Sequence, residues 1–318
     1  MRWSRDLARP RPLAALAALL ALAAAPAAAG DLAYVTVQNG DGLSILDLAA
    51  GTERARIDVP GKPAGVAVAP GAVFVVSPEG KTLRRFDPAG AETGRLALEG
   101  GPMGVAVTGG RVFVSDWYNA RIWVIDAATM TVTASLATGS APAGLAVSPD
   151  GRWLASADRD ADQVSVFDLA TLGLHARIAV GSRPFGLGFA PDGRLFVGNV
   201  GSDDVSVLDP EAGTILATLP VGTRPYGVAF AAERAFVTNQ YADTVSVLDL
   251  ATLAPLAEIA VGEYPEGIDS AGDGRTVVVA NWFSNSVTLI DAETLTATGE
   301  IETGDGPRAF GRFIAKAP

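Results

Sequence analysis

The chain has no cysteine and a single histidine. Without cysteine there are no disulfides, no thiolate metal site and no CxxCH haem attachment. One histidine, His175, excludes His-cluster zinc or copper sites and bis-histidine haem. His175 sits in ATLGLHARIAV, leading into a strand, with no serine placed to build a Ser-His-Asp triad. Positive charge is also scarce, with 24 Lys and Arg against 35 Asp and Glu. A net charge of −11 argues against non-specific nucleic-acid binding, which needs clustered cations. Beyond residue 30 no apolar run is long enough to span a bilayer, and no segment keeps helical spacing. The many glycines form no strand-GxGxxG-helix unit, so no phosphate loop is expected, and no cofactor.

The first 29 residues read differently from the rest. MRWSRDLARPRP carries four arginines, LAALAALLALAAAP follows as a short apolar run, and Ala27-Ala28-Ala29 precedes Gly30. That order is a secretory signal peptide with cleavage near Ala29-Gly30. Residues 1–29 are therefore expected to be removed, and residues 30–318 to form one domain, periplasmic or secreted. The leader holds four Arg and one Asp, so residues 30–318 carry −14. No Cys follows the cleavage site, so no lipoprotein anchor is expected.

What is abundant is repetition. Seven aspartates, Asp47, Asp87, Asp126, Asp168, Asp209, Asp249 and Asp291, recur at spacings of 39 to 42. Seven prolines, Pro63, Pro102, Pro142, Pro184, Pro225, Pro265 and Pro307, follow them by 16 residues, once by 15. Each copy offers four short Val-rich strands bounded by Gly, Pro and Asp, as in AFVTN, TVSVLD, PLAEIAV and EGIDSA. A period of about 40–45 with four strands per unit predicts a β-propeller. Seven copies predict an all-β, seven-bladed ring with four antiparallel strands per blade. Leu32–Val37 is already the second strand of a blade, so Arg308–Ala315 is expected to join the N-terminal three strands and close the ring. Closure removes exposed sheet edges.

PheValThrAsn at 236–239, the VSVLD strand and the VGxxPxG link resemble the YVTN-type β-propeller repeat family, the exported, YncE-like seven-bladed propellers. The resemblance covers residues 32–315. Two copies depart from its signature, TyrValThrVal at 34–37 and ValValSer at 75–77. It implies the fold and export, but no reaction. Some members lie beside quinoprotein dehydrogenase systems, which implies an accessory role in such a periplasmic system as an alternative.

Function should lie where the copies disagree. The turn between second and third strands and the link between blades emerge on one face, taken here to surround the channel mouth. Around the prolines at 63, 102 and 142 this face carries mainly small residues, such as Gly101, Ala141 and Ala143. Around the next four it carries Arg183, Phe185, Arg224, Tyr226, Tyr264, Glu266 and Arg308. Neighbouring turns add Asn239, Gln240, Tyr241, Asn281, Trp282 and Phe283, with Trp117 and Tyr118 across the ring. Arginine forks suit carboxylate or phosphate, and aromatics supply flat apolar contact. The arc is thus a candidate site for a small anionic ligand or an acidic loop of a periplasmic protein, on a monomer without enzymatic activity. The bland alternative is a rim of side chains paired with each other and with Glu263 and Glu266.

The carboxylates also offer a calcium-loop pattern and one enzymatic alternative. DRDADQ at 158–163 spaces three aspartates like the start of a calcium loop, but lacks the glycine and distal glutamate. Asp116, Asp158 and Glu266 are the carboxylates that could converge on the axis to hold a metal for a hydrolase or lactonase.

Overall fold

The structure, a computed structural model, describes residues 30–316. The leader expected at 1–29 lies outside the described residues. Seven four-stranded antiparallel sheets surround one axis. Blade 1 is Ile314–Ala315, Leu32–Val37, Gly42–Asp47 and Thr52–Asp58, from axis to rim. Blades 2 to 7 begin at the axis with Val66–Ala69, Pro102–Thr108, Pro142–Val147, Pro184–Phe189, Pro225–Ala231 and Pro265–Ser270. The one helical element among the described residues is a 3-10 turn, Arg159–Ala161. No described helix is long and apolar enough to cross a membrane.

Burial explains the strand composition. Second strands are covered on both faces by neighbouring blades, so Ala72–Ser77 and Trp153–Asp158 are buried almost throughout. Tyr34, Phe74, Phe113, Phe196 and Phe236 recur there as fully buried wedges. Outer strands such as Thr52–Asp58 face solvent and turn polar.

The repeated markers have structural roles. Each of the seven aspartates accepts backbone N–H groups of the turn it opens, as Asp126 does from Ala128 and Thr129. The glycine two residues after proline lies against the next blade. A Cβ at Gly186 would sit 1.9 Å from the Tyr226 carbonyl oxygen.

These turn carboxylates imply an acid dependence. Backbone donation from Thr129, Thr171 and Thr252 holds Asp126, Asp168 and Asp249 below the usual range. Arg275, donating at 2.8 Å, pulls Asp291 from 3.8 to about 2. A lowered folded-state pKa gives stability that is present above the unfolded value and lost as pH falls through the folded one. Thermal stability is expected to decline from about pH 4 down to about pH 2. NMR titration of Arg275→Ala should move the Asp291 midpoint upward, and an unchanged midpoint would remove Arg275 as the cause.

The ring closes where the sequence predicts, but the closing strand is not regular. Val37 pairs with Pro307 and Ala33 with Ile314, a span of four residues on one side and seven on the other. Blade 6 carries one extra residue in the same place, where Pro225 opposes Asn239 and Val228 opposes Val237. The closing strand carries three. Ala309 (φ +52°) and Gly311 (φ +108°) take the left-handed turn this bulge needs. The displaced segment pairs instead with blade 2, where Val66 and Val68 donate to Phe310 and Arg312 carbonyls. Regular strand is thereby reduced to Ile314–Ala315.

Candidate functional site

The link face is built on pinned backbone. Lys62, Ala141, Arg183, Arg224 and Tyr264, each preceding a proline, adopt left-handed φ of 53–61°. At four of them a turn carboxylate receives the amide: Asp41 from Lys62, Asp162 from Arg183, Asp203 from Arg224 and Asp243 from Tyr264. Carbonyls of Arg183, Arg224 and Tyr264 accept in return from Val200, Gln240 and Trp282. Side chains at these positions are held outward on a rigid base.

Around this base the predicted residues separate into three groups. The first forms a ladder across blades 6 and 7. Arg224 donates to the Tyr241 hydroxyl at 2.7 Å and lies 4.2 Å from its ring centre. Tyr241 meets Tyr264 at 5.4 Å, and Tyr264 meets Trp282 at 5.4 Å and Phe283 at 4.8 Å. Burial, then the hydrogen bond with Tyr241, pushes the Tyr264 phenol up to about 12. Tyr241 and Phe283 are 55% and 60% exposed, and Tyr118 across the ring is 78% exposed. Arg183, on the preceding link, is also exposed. Among the described residues neither Arg183 nor Arg224 has a carboxylate partner, and the buried Arg224 Nε and Trp282 Nε1 have no acceptor.

A second group fills the axis. Phe185 stacks on Tyr226 at 4.3 Å, and Phe310 approaches both rings at 5.3 Å. Trp117 extends the cluster, 6.3 Å from Phe185, with the Arg159 guanidinium 5.4 Å from its own ring centre. Behind the stack, Arg308 Nε pairs with Glu266 at 2.6 Å and its guanidinium reaches Gln38 and the Tyr226 hydroxyl at 3.0 Å. Gln240 donates to the other Glu266 oxygen at 2.7 Å. Burial pushes the Glu266 carboxyl up against the pull of Arg308 and Gln240, and pushes the Tyr226 phenol well up. Arg308 and Glu266 thus pair with each other, buried near the axis rather than exposed at a rim.

The third group lies inside the blades. Asn239 and Asn281 are fully buried and donate to Ser246 and Thr288, at 2.9 and 2.8 Å. Asp116 accepts from Gly101 N–H, Asn119 and Arg121, and Asp158 from Gly139 N–H, Ser156, Gln163 and Ser165. Both close the hairpin of their own blade. No group of three His, Cys, Asp or Glu side chains among the described residues is arranged to hold a metal. His175 is exposed, packs on Trp153 at 4.5 Å and contacts the Glu211 carbonyl.

The aromatic stack also changes where the channel opens. A cavity of about 1000 Å³ lies along the axis, lined by the innermost strands. Phe185, Tyr226 and Phe310 form its end toward the link face. Its other end reaches Pro70, Gly71, Pro149 and Pro191, in turns between first and second strands. The mouth therefore belongs to the face opposite the predicted one, because bulky rings occupy the narrow end.

Sequence reasoning missed Asp269 and Phe310. Asp269 stands where the other inner strands have Ala67, Ala106, Ala146, Gly188 and Ala229, four residues after proline. Phe310 stands where they have Val, Leu or Ile, three residues after proline. The same comparison of copies, carried two residues further, would have found both.

This architecture defines the class as a seven-bladed, closed β-propeller with one decorated face. The chain belongs to the YNCE-like beta-propeller family, whose model matches residues 7–212 and 213–304. No curated protein matches the sequence. Among solved structures, a functionally unknown protein from Desulfotomaculum acetoxidans DSM 771 aligns with TM-score 0.76 at 16% identity, covering 87% of this chain and 98% of that one. Kuenenia stuttgartiensis hydrazine synthase aligns with TM-score 0.70 at 18% identity, covering 80% and 90%. Both likenesses concern the fold alone.

Proposed function

We propose that the protein is an exported binding module that docks a carboxylate-bearing segment of a partner protein on its link face. The supporting observation is the ladder from Arg224 through Tyr241 and Tyr264 to Trp282 and Phe283. Exposed aromatics joined to an arginine without a carboxylate partner are what an interface anchor requires. In a chain of net charge −11 the unpaired Arg183 and Arg224 favour an acidic partner. Their backbones are already fixed by Asp162 and Asp203, so little ordering entropy is lost on docking. Export follows from the leader read at residues 1–29, and the partner is then periplasmic or extracellular.

Native mass spectrometry of the mature protein taken from its own compartment tests the reading. A bound protein is expected. Arg224→Ala and Tyr241→Ala should each weaken its binding by about tenfold or more. Because both side chains lie at the surface end of the ladder, thermal stability should change little. A partner held equally well by both variants would sink the proposal.

A further inference from the structure

We infer that the axial cavity is a second binding site, on the opposite face, for an amphiphile with an apolar body and a carboxylate head. The inner strands run along the axis with their side chains alternating toward the two neighbouring blades, and some of those side chains reach the cavity. The side chains that reach it are mainly apolar, including Val107, Val147, Leu187, Phe189, Phe230 and Ile268. The volume, about 1000 Å³, is at the upper end for a small-molecule pocket.

The buried acidic and phenolic groups that reach the cavity are already engaged. Glu266 is held by Arg308 and Gln240, and the Tyr226 hydroxyl by Arg308. Asp269 receives the amides of Phe313 and Ile314 at 2.9 and 3.0 Å. Most of the remaining lining is apolar side chain. An apolar chain seated on the Phe185–Tyr226–Phe310 floor would remove apolar surface from water.

Charge at the mouth selects the head group. Arg312 and Lys316 are the cations among the lining residues, both on the closing segment. Arg312 is 72% exposed, and its carboxylate contact, Asp269, lies 3.9 Å away and is occupied by backbone amides. Gly30 lines the same mouth, so cleavage after Ala29 would add an α-ammonium there. The bulge in the closing strand is what brings Phe310 to the floor and Arg312 to the rim.

The test is titration of the mature protein with palmitate and with the matching alcohol, hexadecanol, by calorimetry below micelle-forming concentrations. Saturable one-to-one palmitate binding is expected, with hexadecanol weaker by about tenfold. Val147→Trp, which narrows the cavity, should weaken both. Arg312→Glu changes an exposed side chain and should weaken palmitate by about tenfold while sparing hexadecanol. Arg224→Ala should change neither, which separates this site from the link face. Absence of saturable palmitate binding overturns the site, as does undiminished binding by folded Val147→Trp. Equal affinity for acid and alcohol, or palmitate binding indifferent to Arg312→Glu, overturns the head-group assignment.

Discussion

Asp269→Ala is expected to lower unfolding stability by about 2–4 kcal/mol and to loosen the closing strand before the rest of the ring. The reason is where this carboxylate points. It is 6% exposed, and it receives the amides of Phe313, Ile314 and Ser270. Phe313 is fully buried, so removing the carboxylate leaves its N–H without water or acceptor. An orphaned buried donor costs about 1–3 kcal/mol, and two here belong to the segment that closes the ring. Part of that loss is offset, since burial pushes the Asp269 carboxyl up and its removal relieves that desolvation. Asp269→Asn keeps one acceptor and should lose less. Denaturant unfolding gives the energy, and limited trypsin digestion, read at Arg308 and Arg312, gives the location. Wild-type stability together with unchanged cleavage would show that Asp269 is not the clasp.

Arg308→Met should be the most damaging single change on the link side, at about 3–5 kcal/mol, while the double variant Glu266→Gln, Arg308→Met should regain most of it. Glu266 is 1% exposed and Arg308 is its cationic partner, at 2.6 Å. Burial works against the charge on Arg308, and Glu266, then Tyr226, more than restore it. Taking away Arg308 alone leaves a buried carboxylate facing the Phe185–Tyr226 stack. Neutralising both removes the uncompensated charge, and glutamine still accepts from Gln240. Chemical denaturation of the two single variants and the double variant measures the coupling. Additive losses would mean that the pair does not act as a unit.

Legibility in the sequence followed the range of each interaction. Asp126 could be read as a turn residue because its donors, the Ala128 and Thr129 amides, are two and three residues away. Gly186 could be read as a close-approach glycine because its constraint recurs in the neighbouring blades. Asn239 and Asn281 looked exposed at a variable strand end, yet they face hydroxyls of the adjacent strand seven residues on. Asp116 and Asp158 looked free to approach the axis, but short hairpins bring Arg121 and Ser165 to them first.

By itself, the sequence determined the seven blades, their four strands, the turns and the place of closure. These rest on alternation, Pro and Gly geometry and local hydrogen bonds, all repeated at one period. Only the tertiary structure decided which end of the channel is sealed. Arg308 meets Glu266 across 42 residues, and Asp269 meets Phe313 across 44. Those meetings depend on the ring being closed and on a three-residue bulge in the closing strand, which turns Phe310 toward the axis. Local pattern carries no information on which side chains face each other across an axis, because that is set by the summed geometry of all seven blades.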